Sequence, residues 1–147
     1  MVINRHALKI LYVLLPLLCL LGFLLIWGSH EKKEPLSTVR YTVLCVTDAD
    51  TADHIAIGDR LTDGVGKGQV GEVKAVSVTA ALGERADGIF PLPRQKRVLL
   101  EIEGQGLRKG GGAWVDGMEL LLGKRLSLHG RALLEGVCLA VSVEGQA

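Results

Sequence analysis

Residues 10–27 read Ile-Leu-Tyr-Val-Leu-Leu-Pro-Leu-Leu-Cys-Leu-Leu-Gly-Phe-Leu-Leu-Ile-Trp, 18 consecutive positions without a charge. At about 1.5 Å per residue such a helix is roughly 27 Å long, close to the hydrocarbon thickness of a bilayer. Lipid offers backbone amides no partner, so the segment is expected to be a transmembrane helix that tolerates Pro16 and Gly22 as local bends. Tyr12 and Trp27 stand near its two ends, where amphipathic rings favour the membrane interface. No second run of this length follows. The chain therefore divides into a short leader (1–9), one span (10–27), a polar tether (28–40) and a body (41–147).

Arg5 and Lys9 precede the span while Lys32, Lys33 and Arg40 follow it, so the charge rule for orientation is nearly balanced. The order of basic leader, apolar run and polar body is that of an export signal. Leu25-Ile26-Trp27-Gly28-Ser29 has no small-x-small cleavage pattern, which favours an uncleaved anchor with the C-terminal body outside the cytoplasm. The expected localisation is the cell membrane, single-pass, with the lipid bilayer as partner of residues 10–27.

From residue 41 onward 12 basic and 14 acidic side chains are interspersed, which argues against nucleic acid as a partner. The body is long enough for one core. Period-two alternation predicts a strand over residues 98–103, with Val98, Leu100 and Ile102 inward and Glu101 and Glu103 outward. A second strand is expected over 41–46, and a last one in which Val137, Leu139, Val141 and Val143 face inward. Between the first strand and the next, Thr51 to Ile55 is expected to form one helical turn capped by Asp50.

Residues 58–78 laid over 123–143 match at eight of 21 positions without a gap: Gly58/Gly123, Arg60/Arg125, Leu61/Leu126, Gly71/Gly136 and the run Ala75-Val76-Ser77-Val78 over Ala140-Val141-Ser142-Val143. This predicts an internal repeat. With short strands separated by glycine turns, the expected fold class is mostly β: a small, internally duplicated, β-barrel-like domain preceded by one N-terminal transmembrane helix. Equivalent Gly-x-Arg-Leu turns related by a pseudo-twofold axis would resemble duplicated cradle-loop barrels.

Chemistry is sparse. Gly66-Lys67-Gly68-Gln69-Val70-Gly71 spells G-x-G-x-x-G, yet a strand rather than a helix follows, so it reads as a hairpin turn and no cofactor site is expected. Asp48, Asp50, Asp53, Asp59 and Asp63 lack the glycine and glutamate of a calcium loop. His6, His30, His54 and His129 are dispersed, so no metal site is expected. Ser77 and Ser142 have no histidine nearby in sequence, so no catalytic residue is assigned and the body is not read as an enzyme. Cys45 and Cys138 either pair in an exported domain or remain two buried thiols, the plainer reading. Residues 83–95 and the glycine run before Trp114 look least like core. Phe90 and Trp114 either plug the ends of the barrel or anchor a protein partner.

The anchor followed by Ile57-Gly58-Asp59-Arg60-Leu61-Thr62-Asp63, Gly71-Glu72-Val73-Lys74-Ala75-Val76, Val98-Leu99-Leu100-Glu101-Ile102-Glu103-Gly104 and residues 115–124 resembles the bacterial family catalogued as domain of unknown function 4330. The resemblance covers nearly the whole chain; Asp116-Gly117 departs from the family's asparagine-glycine, and residues 83–93 do not align. It implies a bacterial single-pass envelope protein and carries no catalytic residues. The expected function is a membrane-anchored, extracytoplasmic binding or accessory module of the cell envelope with a protein partner, serving an envelope assembly or a surface-polysaccharide system. A small-ligand-binding barrel and an anchored hydrolase are the alternatives.

Overall fold

The computed structural model describes residues 5–28 and 34–145. Helix α1 spans Arg5–Gly28 and belongs to a first unit; residues 35 onward form a second. The helix is five residues longer at its N-terminus than the apolar run, and it is long and apolar enough to cross a membrane. Phe23 and Trp27, one turn apart, have ring centroids 5.3 Å from each other. Residues 29–33 of the expected tether, with His30, Lys32 and Lys33, lie outside the described residues.

The second unit is an antiparallel sheet of eight strands: β1 (Ser37–Asp48), β2 (Arg60–Asp63), β3 (Gln69–Arg85), β4 (Gly88–Lys109), β5 (Gly112–Val115), β6 (Met118–Leu120), β7 (Arg125–His129) and β8 (Leu133–Val143), with α2 (Ala49–Asp53) between β1 and β2. The expected tether is thus cut short. Residues 37–40 are strand because Ser37 to Arg40 pair with Gly106 to Glu103 of β4, a partner no local pattern reveals. The expected helical turn is present but starts earlier, since Asp48 and not Asp50 caps it, accepting from Thr51 N at 2.8 Å and Thr51 Oγ1 at 2.7 Å.

Strand β1 pairs with both β4 and β8, so the order β1-β8-β7-β2-β3-β4 returns to β1 and six strands make a closed circuit. Its narrowest seam is β2–β7, where only Thr62 and Asp63 pair with His129 and Leu128, reinforced by Thr62 Oγ1 donating to His129 O at 3.1 Å. Inside sit Val39, Tyr41, Val43 and Cys45 of β1, Val98, Leu100 and Ile102 of β4, and Leu126, Leu128, Leu134 and Cys138 of β7 and β8. The face predicted for β4 is the face observed. For β8 it is reversed over its first half: Leu134, Gly136 and Cys138 are buried while Leu139 is exposed. The cause is a bulge, because Thr42 pairs with Ala140 and Val43 with Cys138, leaving Leu139 unpaired and flipping the alternation beyond it.

The same bulge occurs in β3, where Val73 pairs with Ile102 and Ala75 with Glu101, leaving out Lys74. Lys74 and Leu139 are 65 residues apart, the offset of the sequence repeat. At that offset the turns also bond alike. Gly58 N donates to Val73 O at 2.8 Å and Val73 N to Asp59 O at 2.9 Å, while Gly123 N donates to Cys138 O at 2.8 Å and Cys138 N to Lys124 O at 3.0 Å. Gly71 opposes Leu61 as Gly136 opposes Leu126. Both glycines are dictated by space, since a Cβ at Gly71 would lie 2.7 Å from Glu103 O and one at Gly136 would lie 2.6 Å from Cys45 Sγ.

Candidate functional site

Strands β3 and β4 run well past the six-strand circuit and end in a hairpin, so residues 83–95, which looked least like core, form a projecting arm. Ala80 pairs with Lys96 and Leu82 with Pro91, so Ala81 alone opposes residues 92–95 and the arm bends there, with Arg94 at φ 69°. Beyond the bend Gly83 pairs with Phe90, Glu84 with Ile89 and Arg85 with Gly88.

Alternation gives the arm two faces. On one, the Phe90 ring lies over Gly83: a Cβ there would come within 3.0 Å of Phe90 Cζ and 2.8 Å of Leu92 Cδ2. The Arg85 guanidinium stands 4.6 Å above the same ring. Phe90 therefore fastens the arm to itself. The other face carries Leu82, 54 % exposed, and Ile89, 73 % exposed, with Pro91 paired directly opposite Leu82. A missed signal for this hairpin was Asp87-Gly88 at its tip, a dipeptide typical of tight turns, with Gly88 at φ 137°.

Trp114 lies elsewhere. It is half-buried on β5, opposite Leu107 of β4 and Glu119 of β6. Phe90 and Leu107 are 17 residues apart on β4, so the two aromatic residues flank opposite ends of that strand and make no common site. The register also locates the arm relative to the start of the sheet. Ser37 lies beside Gly106 and Asp48 beside Gln95, so the arm leaves the end of β1 opposite to the one at which the chain enters.

On the outer face of the sheet, Arg40, Thr42, Lys74, Glu101, Glu103 and Ser142 line a groove of about 370 Å³. Arg40 Nε and Nη1 meet Glu103 Oε2 and Glu144 Oε1, each at 2.8 Å, and Lys74 Nζ meets Glu72 Oε1 at 3.0 Å. Glu103 above all, then Glu144, holds Arg40 in its charged form, and Glu72 does the same for Lys74. These groups are solvated and satisfy one another.

The G-x-G-x-x-G string is the β2–β3 turn, in which Asp63 Oδ1 accepts from Lys67 N at 2.9 Å, and strand β3 follows. Ser142 Oγ donates to the Arg40 carbonyl at 3.4 Å. Ser77 is exposed on β3, and the His54 ring faces the Asp50 carbonyl at 2.6 Å. Among the described residues no three His, Cys, Asp or Glu side chains converge as metal ligands.

Cys45 pairs with Gly136 and Cys138 with Val43, which makes the two thiols diagonal neighbours on adjacent strands. Diagonal Cβ atoms lie roughly 7 Å apart, whereas a disulfide needs about 4 Å. Both are free and buried, and burial pushes the Cys45 thiol up to about 11. Tyr41 fills the middle of the barrel, with its hydroxyl donating to Val70 O at 2.9 Å. Comparison with protein-family models, with curated proteins and with solved structures found no match.

Proposed function

We propose that this chain is a bacterial envelope protein held by a single transmembrane helix, whose internally duplicated body stands outside the cytoplasm and binds a protein partner through the β3–β4 arm. The observation that carries this reading is the arm itself. It leaves the barrel at the end opposite to the one at which β1 begins, and it exposes Leu82 and Ile89 on a face that nothing in the barrel covers. Exposed apolar residues on one face of the arm, with Arg94 and Lys96 at its base, have the makeup of a protein contact with a polar rim. The envelope assignment rests on the apolar helix and on the family resemblance. The duplication is supported by the turn hydrogen bonds and bulges that recur at one constant offset. A ligand in the lumen, the alternative reading, would have to displace Tyr41, Leu100 and Leu128.

One experiment tests both orientation and contact. Ile89→Cys, in a chain carrying Cys19→Ser, is treated in intact cells with a membrane-impermeant maleimide–benzophenone and irradiated, with Arg108→Cys as the control at the other end of β4. Labelling of intact cells followed by an adduct to another protein at residue 89 only, identified by mass spectrometry, is expected. Labelling only after lysis overturns the orientation, and adducts equal to the control overturn the contact.

A further inference from the structure

The arm has two long edges, and they are not alike. On β4 the outer edge beyond Gln95 carries Pro91 and Pro93, which have no N–H to offer, and Arg94 in the left-handed region. That edge is closed to a further strand. On β3 the edge facing away from β4 is used by β2 only as far as Glu72, and its last bonds are those between Val73 and the Gly58-Asp59 turn. From Lys74 to Arg85 no described residue pairs with it. Ser77, Val78, Thr79 and Ala80 are exposed one after another, so neither face of the strand is covered there. Residues 74–85 hold no proline, and the side chains of 75–81 are all small or β-branched.

A row of unpaired backbone N–H and C=O groups is completed by another extended strand. We propose that this edge of β3 pairs antiparallel with the same edge of a second copy of the chain, joining two arms into one four-stranded sheet. An edge paired with itself across a twofold axis is isologous and closes, so the assembly stops at two. The charges permit it. In every antiparallel register centred from Thr79 to Leu82, Glu84 faces an uncharged residue or Lys74, and Arg85 faces only uncharged residues. Joining the arms also doubles the apolar face, bringing Leu82 and Ile89 of both copies onto one surface wide enough for a protein partner. The inference thus rests on the reading of the arm as the contact element.

The test uses the full-length chain with Cys19→Ser, in detergent micelles and in native membranes. Single cysteines at Thr79, Ala80, Leu82, Glu84 and, as control, Arg108 are oxidised with copper phenanthroline, and the mass of the uncrosslinked protein is measured by light scattering corrected for detergent. Covalent dimer at least ten-fold above the control at one or more β3 positions is expected, together with a mass of two copies. Replacing residues 81–95 by Asn-Gly, which closes a two-residue turn between the paired Ala80 and Lys96, is expected to return the mass to one copy. A single-copy mass for the parent chain, dimer that survives this replacement, or crosslinking no stronger than at Arg108 overturns the proposal. A single-copy chain that still forms the Ile89 adduct with another protein overturns copy pairing alone. Copy pairing without that adduct overturns the partner reading alone.

Discussion

Tyr41→Phe removes one oxygen from the centre of the barrel, and its effect is set by two features of that position. The side chain is 1 % exposed and its hydroxyl donates to Val70 O at 2.9 Å, so the substitution strips a buried carbonyl of its partner and leaves the packing of the ring intact. Loss of such a bond, with the acceptor left unsatisfied, costs about 1.5 kcal/mol, or roughly 6 °C in the midpoint of a body of this size. The same burial, with a smaller contribution from the charge of Cys138, pushes the phenol well above its ordinary value. A group whose folded pKa is raised contributes stability that is fully present below its unfolded pKa, near 10, and that is lost as pH climbs beyond it. By pH 11 the unfolded chain gains about 1.4 kcal/mol from ionising this tyrosine, while the folded chain keeps it neutral. The Phe variant has no such proton to lose. Its deficit at pH 7 should therefore vanish near pH 11, where the two stabilities meet. Cys45 and Cys138 also weaken the fold at alkaline pH, but they do so in both proteins and cancel in the difference. The assay is urea unfolding of the full chain in micelles, followed by the emission of Trp114 in a Trp27→Phe background at pH 7, 9, 10 and 11. A deficit that is absent at pH 7, or that stays constant to pH 11, would refute the buried, bonded hydroxyl.

Gly136→Ala places a methyl against Cys45 Sγ and Val43 Cγ1, and overpacking of this kind costs about 1–3 kcal/mol, so its urea midpoint should drop clearly. Cys45 and Cys138 should stay unreactive toward a thiol reagent at pH 8 until the barrel is unfolded, and the unfolded chain should run identically on gels with and without reductant; a mobility difference would show that the diagonal pair closes. The replacement of residues 81–95 by Asn-Gly removes only Ala81 from the buried set, so the remaining barrel should unfold within a few degrees of the parent chain, measured by the same Trp114 signal.

What the sequence made legible was whatever local alternation controls. Val98, Leu100 and Ile102 read as an inward face because no irregularity interrupts β4 there, and Gly71 and Gly136 recur at one offset in the sequence where the structure gives both the same steric demand. The face of β8 misread because a single unpaired Leu139 reverses parity, and nothing in Cys-Leu-Ala marks a bulge until the partner strand is known. The arm was hidden by Pro91 and Pro93, which argue against a strand in general and are compatible with one at an open edge. Phe90 was singled out for its aromatic area, yet what it does follows from Gly83 lying opposite, a fact of register. Leu82 and Ile89, the exposed residues, looked ordinary because exposure is decided by which face the barrel leaves uncovered.

The duplication proposed above bears on why arm and entry point sit at opposite ends. Matching partners pair β1-β2-β3 with β4-β7-β8, since Val73 meets Ile102 as Cys138 meets Val43. Under that correspondence the β3–β4 connection is the junction between the halves, and its equivalent in the second half is the gap between the end of β8 and the start of β1. One junction is covalent and the other is open. The open one admits the preceding chain at Ser37, and the covalent one is constrained by no pairing with the rest of the barrel, so it can lengthen without disturbing the core. Because β1 and β4 are antiparallel neighbours, the two junctions face opposite ways along them. Under the proposed duplication, the freely extendable β3–β4 junction therefore lies at the end of β1 opposite to Ser37, because the antiparallel pairing of β1 with β4 sends the two junctions to opposite ends of the same pair.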